Sequence, residues 1–182
     1  MRDLQAFFRT VPRIEFHGVV HRICTYPYRD SVCSMRGSWL HGARYNLRNY
    51  FGALYTSLEL TTARAEVRRY FTVPPDCGFV TAALSLQLSQ VVDLTDEKLL
   101  RKVRLPSSNL INDDHAVCQE FGWRAWEGGV EALLVPSAAV AKAKNLVLFL
   151  DHQRPSWSIK LSAISIDATS ASRPPKRTGV TK

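Results

Sequence analysis

The chain has 182 residues, of which 46% are hydrophobic and 22% charged, the size and composition of one globular domain with a sizeable core. Charges interrupt its apolar residues, so no run approaches the roughly 20 residues that a membrane helix needs. The opening stretch, MRDLQAFFRTVPRIEF, also lacks the apolar centre of a signal peptide. These features predict a cytoplasmic protein.

The net charge of +8 suggests nucleic-acid binding as one interpretation. Half of this excess lies in residues 168–182, ATSASRPPKRTGVTK, which contain four basic residues and no acid. The Ser, Thr, Pro and basic content of this stretch predicts a disordered tail after a single domain at 1–167. The mild excess that remains fits a cleft for a phosphate-bearing small molecule as well as a nucleic-acid groove.

The predicted elements begin with a strand, EFHGVVHRICTY (15–26), which is rich in β-branched and aromatic residues. A long loop with three glycines follows, and long ordered loops are usually functional or wrongly assigned. A short strand, ALYTS (53–57), precedes a helix, LTTARAEVRRYF (60–71), with Thr61 or Thr62 as its N-cap.

The second half of the chain is richer in strands. FVTAALSLQL (79–88) has the uniform apolar character of a buried strand, and NDDHAVCQEFGWRAWEGG is typical of a helix stopped by two glycines. Three further strands are predicted at 131–138, 145–151 and 158–167. Because strands outnumber helices and alternate with them irregularly, the pattern predicts an α+β domain with a mixed or antiparallel sheet.

Familiar catalytic motifs are absent from the sequence. It has no Gly-x-Gly-x-x-Gly, no Walker-type Gly-Lys-Ser/Thr, no His-Glu-x-x-His and no Gly-x-Ser-x-Gly. Asp113, Asp114 and His115 are adjacent, and neighbours on one helix point in different directions, so we expect no metal site there. The four cysteines (Cys24, Cys33, Cys77 and Cys118) form no Cys-x-x-Cys pair, which predicts reduced, individually buried thiols.

One stretch, GARYNLRNYFGALYTSLELTTARAEV, contains three candidate site residues on three kinds of element. Arg44 follows Gly42 in a loop and could bind phosphate oxygens with two nitrogens. Tyr55 lies on the short strand, and Glu66 lies on the helix. The plainer alternatives are a surface loop residue for Arg44, a half-buried strand residue for Tyr55, and a helix-surface acid paired with Arg69 or Tyr70 for Glu66.

Six segments resemble, in order, the RES family, the toxin half of RES–Xre toxin–antitoxin pairs. They are VHRI (20–23), GARYN (42–46), GALYTS (52–57), TARAEV (62–67), CQEFGWRAW (118–126) and EALLVPSA (131–138). The family usually has Gly-Gly-Arg-Trp-Asn-Pro around its Arg. In this chain Ala43 stands in place of the second Gly, Tyr45 in place of the Trp and Leu47 in place of the Pro. An aromatic ring therefore stays beside Arg44 for stacking, while the turn after Asn46 must be made differently.

The resemblance implies an ADP-ribosyltransferase-like fold, a compact split β-sheet with helices around an NAD cleft. It implies a bacterial toxin that destroys NAD+ by hydrolysis or phosphorolysis, with NAD+ and inorganic phosphate as substrates and no cofactor or metal. Glu66 would be the catalytic acid, and Arg44 and Tyr55 would bind and position the dinucleotide, with Tyr45 beside them. Arg22 would be a second phosphate contact. Ser137 matches the family's Ser, although its hydroxyl could instead cap a turn.

The resemblance also implies an Xre-type antitoxin that covers the cleft, and a homo-oligomer of the toxin within that complex. Two other functions stay open. The first is ADP-ribosylation of a protein, although arginine-modifying enzymes carry Glu-x-Glu or Gln-x-Glu and this chain has Arg64 two positions before Glu66. The second is a basic nucleic-acid-binding or RNase-type toxin.

Overall fold

The structure is a computed structural model that describes residues 4–70, 78–152 and 158–167. Its strands are β1 (Ile14–Thr25), β2 (Leu54–Ser57), β3 (Phe79–Asp93), β4 (Ala132–Pro136), β5 (Lys144–Leu148) and β6 (Ser158–Asp167). Its helices are α1 (Leu4–Thr10), α2 (Arg36–His41), α3 (Leu60–Tyr70), α4 (Glu97–Lys102) and α5 (Ala116–Glu127). Within these ranges no helix is both long and apolar enough to cross a membrane. The predicted tail at 168–182 lies outside the described residues.

Five of the strands close into a barrel. The pairs β1–β2, β2–β5 and β5–β4 are antiparallel, β4 runs parallel to β3, and β3 returns antiparallel to β1. The long β3 allows this closure because one of its edges serves two strands, β6 over Phe79–Gln87 and β4 over Val91–Asp93. The α+β class and the mixed pairing are therefore confirmed. The split sheet implied by the resemblance is not confirmed, since the strands form a closed ring.

Two apolar cores lie on either side of the barrel wall. Strand alternation directs one set of side chains inward, with members from all five barrel strands: Val20, Leu54, Leu84, Leu134 and Leu146. The larger core lies outside the barrel, where Leu133 and Val147 on the outer strand face meet Phe8 of α1 and Phe121 of α5. The outer core therefore holds α1, α4 and α5 against β2, β4 and β5.

The predicted strands all exist, with small differences at their ends. They correspond to β1 through β6, and β3 continues past its predicted end to Asp93. The predicted helix at 60–71 is α3, but the predicted N-cap is wrong: the helix begins at Leu60, so Thr61 and Thr62 lie inside it. The helix that was predicted from Asn112 onward begins only at Ala116. Helix α1 was not predicted, although its Phe8 is fully buried.

The cysteines follow the prediction in part. Cys24, Cys33 and Cys118 are all free thiols. Cys118 is buried as expected, but Cys24 and Cys33 are only partly buried, so the prediction of buried thiols is wrong for those two. Both pack against a small apolar cluster beside the 3₁₀ segment Tyr26–Ser31, which has only three buried members among the described residues. Cys77 lies outside the described residues.

A tight turn ahead of β2 packs directly on α5. Ala43 and Asn46 exchange backbone hydrogen bonds of 3.1 and 3.3 Å, so Arg44 and Tyr45 form the tip of a two-residue turn. A Cβ atom built on Gly122 would lie 1.9 Å from the Tyr45 carbonyl oxygen. Such contact between a helix and a neighbouring backbone requires glycine, because any other residue would force the two apart.

We therefore expect Gly122→Ala to lower the free energy of unfolding by about 3 kcal/mol, at the upper end of overpacking effects. Urea denaturation followed by circular dichroism measures this change. Gly37→Ala is the matched control, since no described atom lies within 4 Å of a Cβ at that position of α2. Equal stability of the two variants would contradict the close packing of α5 on the turn.

Candidate active site

A cavity of about 220 Å³ lies beside the barrel, between α3, the outer face of the strands and the turn at Arg44. Its apolar wall includes Ile23, Val135 and Val147. The polar residues that border it are His21, Arg44, Tyr45, Tyr55, Thr56, Ser57, Glu66 and Asn145. A mostly apolar cavity with a few convergent polar groups is typical of a small-molecule site.

Glu66 faces this cavity from α3 and is tied to the barrel. Its Oε1 accepts hydrogen bonds from the Ser137 hydroxyl and from the Asn145 amide, both at 2.6 Å. The alternative of a surface acid paired with Arg69 is wrong, because Arg69 instead forms an ion pair with Asp113. The carboxylate is thus held by two neutral donors on one oxygen, and no described residue donates to its other oxygen.

Arg44 borders the same cavity from the tip of the turn. The residue is only 8% exposed, so the alternative of a surface loop residue is wrong. Its Nη1 donates to the backbone carbonyls of Asn112 at 2.5 Å and Leu110 at 3.4 Å. These neutral acceptors fix the guanidinium without cancelling its charge, which suits a residue that meets an anionic ligand.

Tyr55 reaches the same turn from β2, and its hydroxyl is engaged there. The hydroxyl accepts a hydrogen bond from the Tyr45 backbone N–H at 2.8 Å and donates to Asn46 Oδ1 at 3.0 Å. Asn46 is fully buried, and its Nδ2 donates to the carbonyls of Ser38 and Phe51. The Asn46 side chain therefore ties the turn to the neighbouring backbone, and Tyr55 holds that side chain in place.

Tyr45 borders the cavity but presents little of its ring. It is 1% exposed and belongs to the outer core, with its hydroxyl donating to the Leu110 carbonyl at 3.5 Å. Burial, reinforced by the neighbouring Cys118, raises the pKa of the Tyr45 hydroxyl well above its usual value, so it stays neutral. The predicted stacking surface beside Arg44 is thus largely covered by protein.

Arg22 is not brought to the cavity wall. His21 and Ile23 line the cavity, and by strand alternation Arg22 points to the opposite face of β1. Its guanidinium donates to the carbonyls of Tyr55 at 3.2 Å and Ser34 at 3.4 Å. Arg22 therefore braces the strand behind the cavity, away from the predicted phosphate contact.

Ser137 caps a turn, as the plainer alternative has it, and also contacts Glu66; its predicted binding of NAD+ stays a prediction. It is 5% exposed, and its hydroxyl oxygen accepts from the backbone N–H groups of Ala139 at 3.1 Å and Val140 at 3.0 Å, as a turn cap does. The same hydroxyl donates its hydrogen to Glu66. The turn thus fixes the direction of the hydroxyl, and the hydroxyl fixes the carboxylate.

Four polar residues of the cavity were not predicted from the sequence: His21, Thr56, Ser57 and Asn145. Asn145 is the second residue of β5 and Ser57 is the last residue of β2, and the two lie directly opposite each other in the antiparallel ladder. The Ser57 hydroxyl donates to Asn145 Oδ1 at 2.7 Å. The available signal was weak, because Ser57 and Asn145 are simply polar residues near the ends of short strands.

Comparison with known proteins shows the family to which the chain belongs. The chain matches the RES domain over residues 19–167. The protein belongs to the RES family. A curated relative, the probable NAD(+) phosphorylase of Mycobacterium tuberculosis, is 28% identical over 132 residues, covering 68% of this chain and 61% of its own length. The chain therefore spans about six tenths of that relative.

A solved structure shares the fold. In the crystal structure of the MbcT–MbcA toxin–antitoxin complex of M. tuberculosis, the matching chain has a TM-score of 0.76 and 22% sequence identity. The match covers 91% of this chain and 92% of the other. The barrel with its outer helices is therefore an established fold.

Charged residues of both signs lie around the segment before α5. Arg69 donates to the Ala138 carbonyl at 2.5 Å and forms an ion pair with Asp113, so it bridges α3 to the segment before α5. Burial lowers the pKa of His115, and Arg44 and Arg69 lower it further against the opposing effect of Asp113.

We predict that Tyr55→Phe lowers the free energy of unfolding by about 1–3 kcal/mol, because it leaves two buried polar partners in the turn unsatisfied. Thermal or urea unfolding measures this loss. Tyr28→Phe is the matched control, since Tyr28 is 62% exposed. If both variants were as stable as the parent, the hydroxyl of Tyr55 would not be what holds the turn.

Proposed function

We propose that this RES-family protein cleaves the nicotinamide–ribose bond of NAD+, and that it does so as the toxin of a bacterial toxin–antitoxin pair. The observation that carries the proposal is the Glu66 carboxylate, fixed by two donors at the wall of a cavity that Arg44 also borders. The printed activity of the curated relative, NAD(+) phosphorylase, supports the same reaction. The family match and the shared fold of a toxin–antitoxin complex support the biological role.

The size of the cavity limits which part of NAD+ it receives. Pockets that hold whole drug-sized ligands measure roughly 300–1,000 Å³, and this cavity measures about 220 Å³. We propose that the nicotinamide and its ribose enter the cavity, whose apolar wall suits a flat ring. The pyrophosphate then lies toward Arg44, and the adenosine extends beyond the cavity.

The chemistry follows from the charge that develops during bond cleavage. As the bond from nicotinamide to ribose breaks, the electron pair leaves with nicotinamide and the ribose gains oxocarbenium character. The ionised Glu66 stabilises this positive charge or holds the ribose hydroxyls, as a carboxylate does in glycoside cleavage. Attack by inorganic phosphate yields ADP-ribose 1″-phosphate, and attack by water yields ADP-ribose and a proton.

We propose a separate role in this reaction for each of the other predicted site residues. Arg44 supplies charge for the pyrophosphate or for inorganic phosphate. Tyr55 and Tyr45 act through the turn that carries Arg44, since the Tyr55 hydroxyl is engaged with that turn and the Tyr45 ring is covered. Ser137 orients Glu66. We assign Arg22 a supporting role behind β2 and not a phosphate contact.

Simple NAD+ cleavage is favoured over modification of a protein arginine. The position two residues before Glu66, where an arginine-modifying enzyme has a second acid, holds the exposed Arg64 in the same helix. A cation at that position would repel an incoming arginine. Identification of the reaction products distinguishes transfer of ADP-ribose to water or phosphate from transfer to another acceptor.

We further propose that a cognate antitoxin of the Xre type covers this cavity, that the protein acts in the cytoplasm where NAD+ is found, and that the toxin forms a homo-oligomer in the complex. The solved toxin–antitoxin complex with the same fold supports a protein partner. Co-purification with the product of a neighbouring small open reading frame would identify it.

The direct test is to incubate the purified protein with NAD+, with and without inorganic phosphate, and to identify the products by mass spectrometry. We expect NAD+ loss with release of nicotinamide, and faster loss with phosphate if phosphorolysis dominates. Glu66→Gln should lower kcat at least about 100-fold, because a neutral amide cannot offset the developing positive charge.

The matched control is Glu59→Gln, which removes an exposed acid just before the same helix and should leave kcat unchanged. Unchanged NAD+ in both conditions would refute the proposed reaction. Transfer of ADP-ribose to a protein without release of a free ADP-ribose product would select the protein-modifying function instead.

A further inference from the structure

Asn145 stands out among the cavity residues because it contacts Glu66 directly and was assigned no role by its sequence pattern. Its Nδ2 lies 2.6 Å from Glu66 Oε1, as short as the bond from Ser137. Short hydrogen bonds to an ionised carboxylate are stronger than bonds between neutral groups. The Asn145 contact is therefore comparable to the Ser137 contact in holding the carboxylate.

The direction of the Asn145 amide is determined by its two neighbours. An ionised carboxylate can only accept hydrogen bonds, so the amide must present its NH₂ group to Glu66. The carbonyl oxygen of the same amide then faces Ser57, whose hydroxyl donates to it at 2.7 Å. Only one orientation of the amide satisfies both partners.

The sheet register explains why these groups meet. Ser57 on β2 and Asn145 on β5 are directly opposed, and Val135 on β4 is opposed to Asn145 on the other side. Directly opposed residues on one face have side chains within contact distance. Because β5 pairs with β2 on one side and with β4 on the other, the backbone at Asn145 is held by the barrel.

We infer that Asn145 is a positioning residue that turns the Glu66 carboxylate toward the cavity, and that Ser57 fixes the direction in which Asn145 donates. The two donors on Oε1 come from different strands, Ser137 after β4 and Asn145 at the start of β5. Two fixed donors on one oxygen restrict rotation of the carboxylate, so its second oxygen has a defined direction. Residues of the barrel wall thereby align Glu66, which lies on α3.

The kinetic test of this inference rests on the proposed cleavage of NAD+. Asn145→Ala and Asn145→Asp each remove the donor, and the Asp variant keeps the size of the side chain and an acceptor for Ser57. We expect both to lower kcat about 10- to 100-fold with little change in KM, as loss of a charge-assisted hydrogen bond that acts on the transition state does. Ser57→Ala should lower kcat by a smaller factor.

Lys144→Ala is the matched control, since Lys144 precedes Asn145 on β5 and extends to Asp93, away from Glu66. Its kcat should equal that of the parent protein. If the parent cleaves NAD+ and both Asn145 variants keep its kcat, the inference is wrong while the proposed function stands. An increase in KM alone would also overturn it, because that would make Asn145 a substrate contact.

Crystal structures of the parent and of Asn145→Ala provide a readout that needs no activity. We expect the Glu66 carboxylate of the Ala variant to leave its parental position, because one of the two donors that hold its Oε1 is gone. An unchanged Glu66 conformation in that variant would overturn the inference, whether or not the parent cleaves NAD+. Circular dichroism of each variant verifies that the fold is retained.

Discussion

Two hydrogen bonds to a single carboxylate oxygen of Glu66 join helix α3 to the barrel and define the site. They come from Ser137, directly after β4, and Asn145 on the adjacent β5, and each measures 2.6 Å. A half-buried carboxylate is costly unless donors compensate for its lost hydration, so these bonds also permit Glu66 to face an apolar cavity. The helix provides the charge, and the barrel determines where that charge points.

The opposite wall of the cavity depends on a turn that is held from two sides. Tyr55 on β2 bonds the turn from the barrel, and Gly122 lets α5 press on it from outside. Arg44 at the tip is then anchored by the Asn112 carbonyl, and the next residue, Asp113, pairs with Arg69 of α3. The segment before α5 thus links the two cavity walls.

The sequence allowed a good prediction of local elements and a weaker prediction of their assembly. Each strand was visible because its residues alternate or form apolar runs, whereas closure of the barrel depends on the parallel pairing of β3 with β4, which no local pattern reveals. The convergence of Arg44 and Glu66 was predicted from family resemblance. Asn145 was missed because its partners are 79 and 88 residues away in the chain. Arg22 was predicted as a phosphate contact, whereas the alternation of β1 separates it from His21 and Ile23, which line the cavity.

The account requires that the nicotinamide ribose of NAD+ sit beside Glu66 within the cavity. The most direct measurement is a crystal structure of the Glu66→Gln variant soaked with NAD+, in which turnover is too slow to consume the ligand. The account predicts the anomeric carbon of that ribose within about 4 Å of the side chain at position 66, close to a reactive separation, and the pyrophosphate near Arg44. NAD+ bound elsewhere on the surface, with the cavity free of it, would contradict the account.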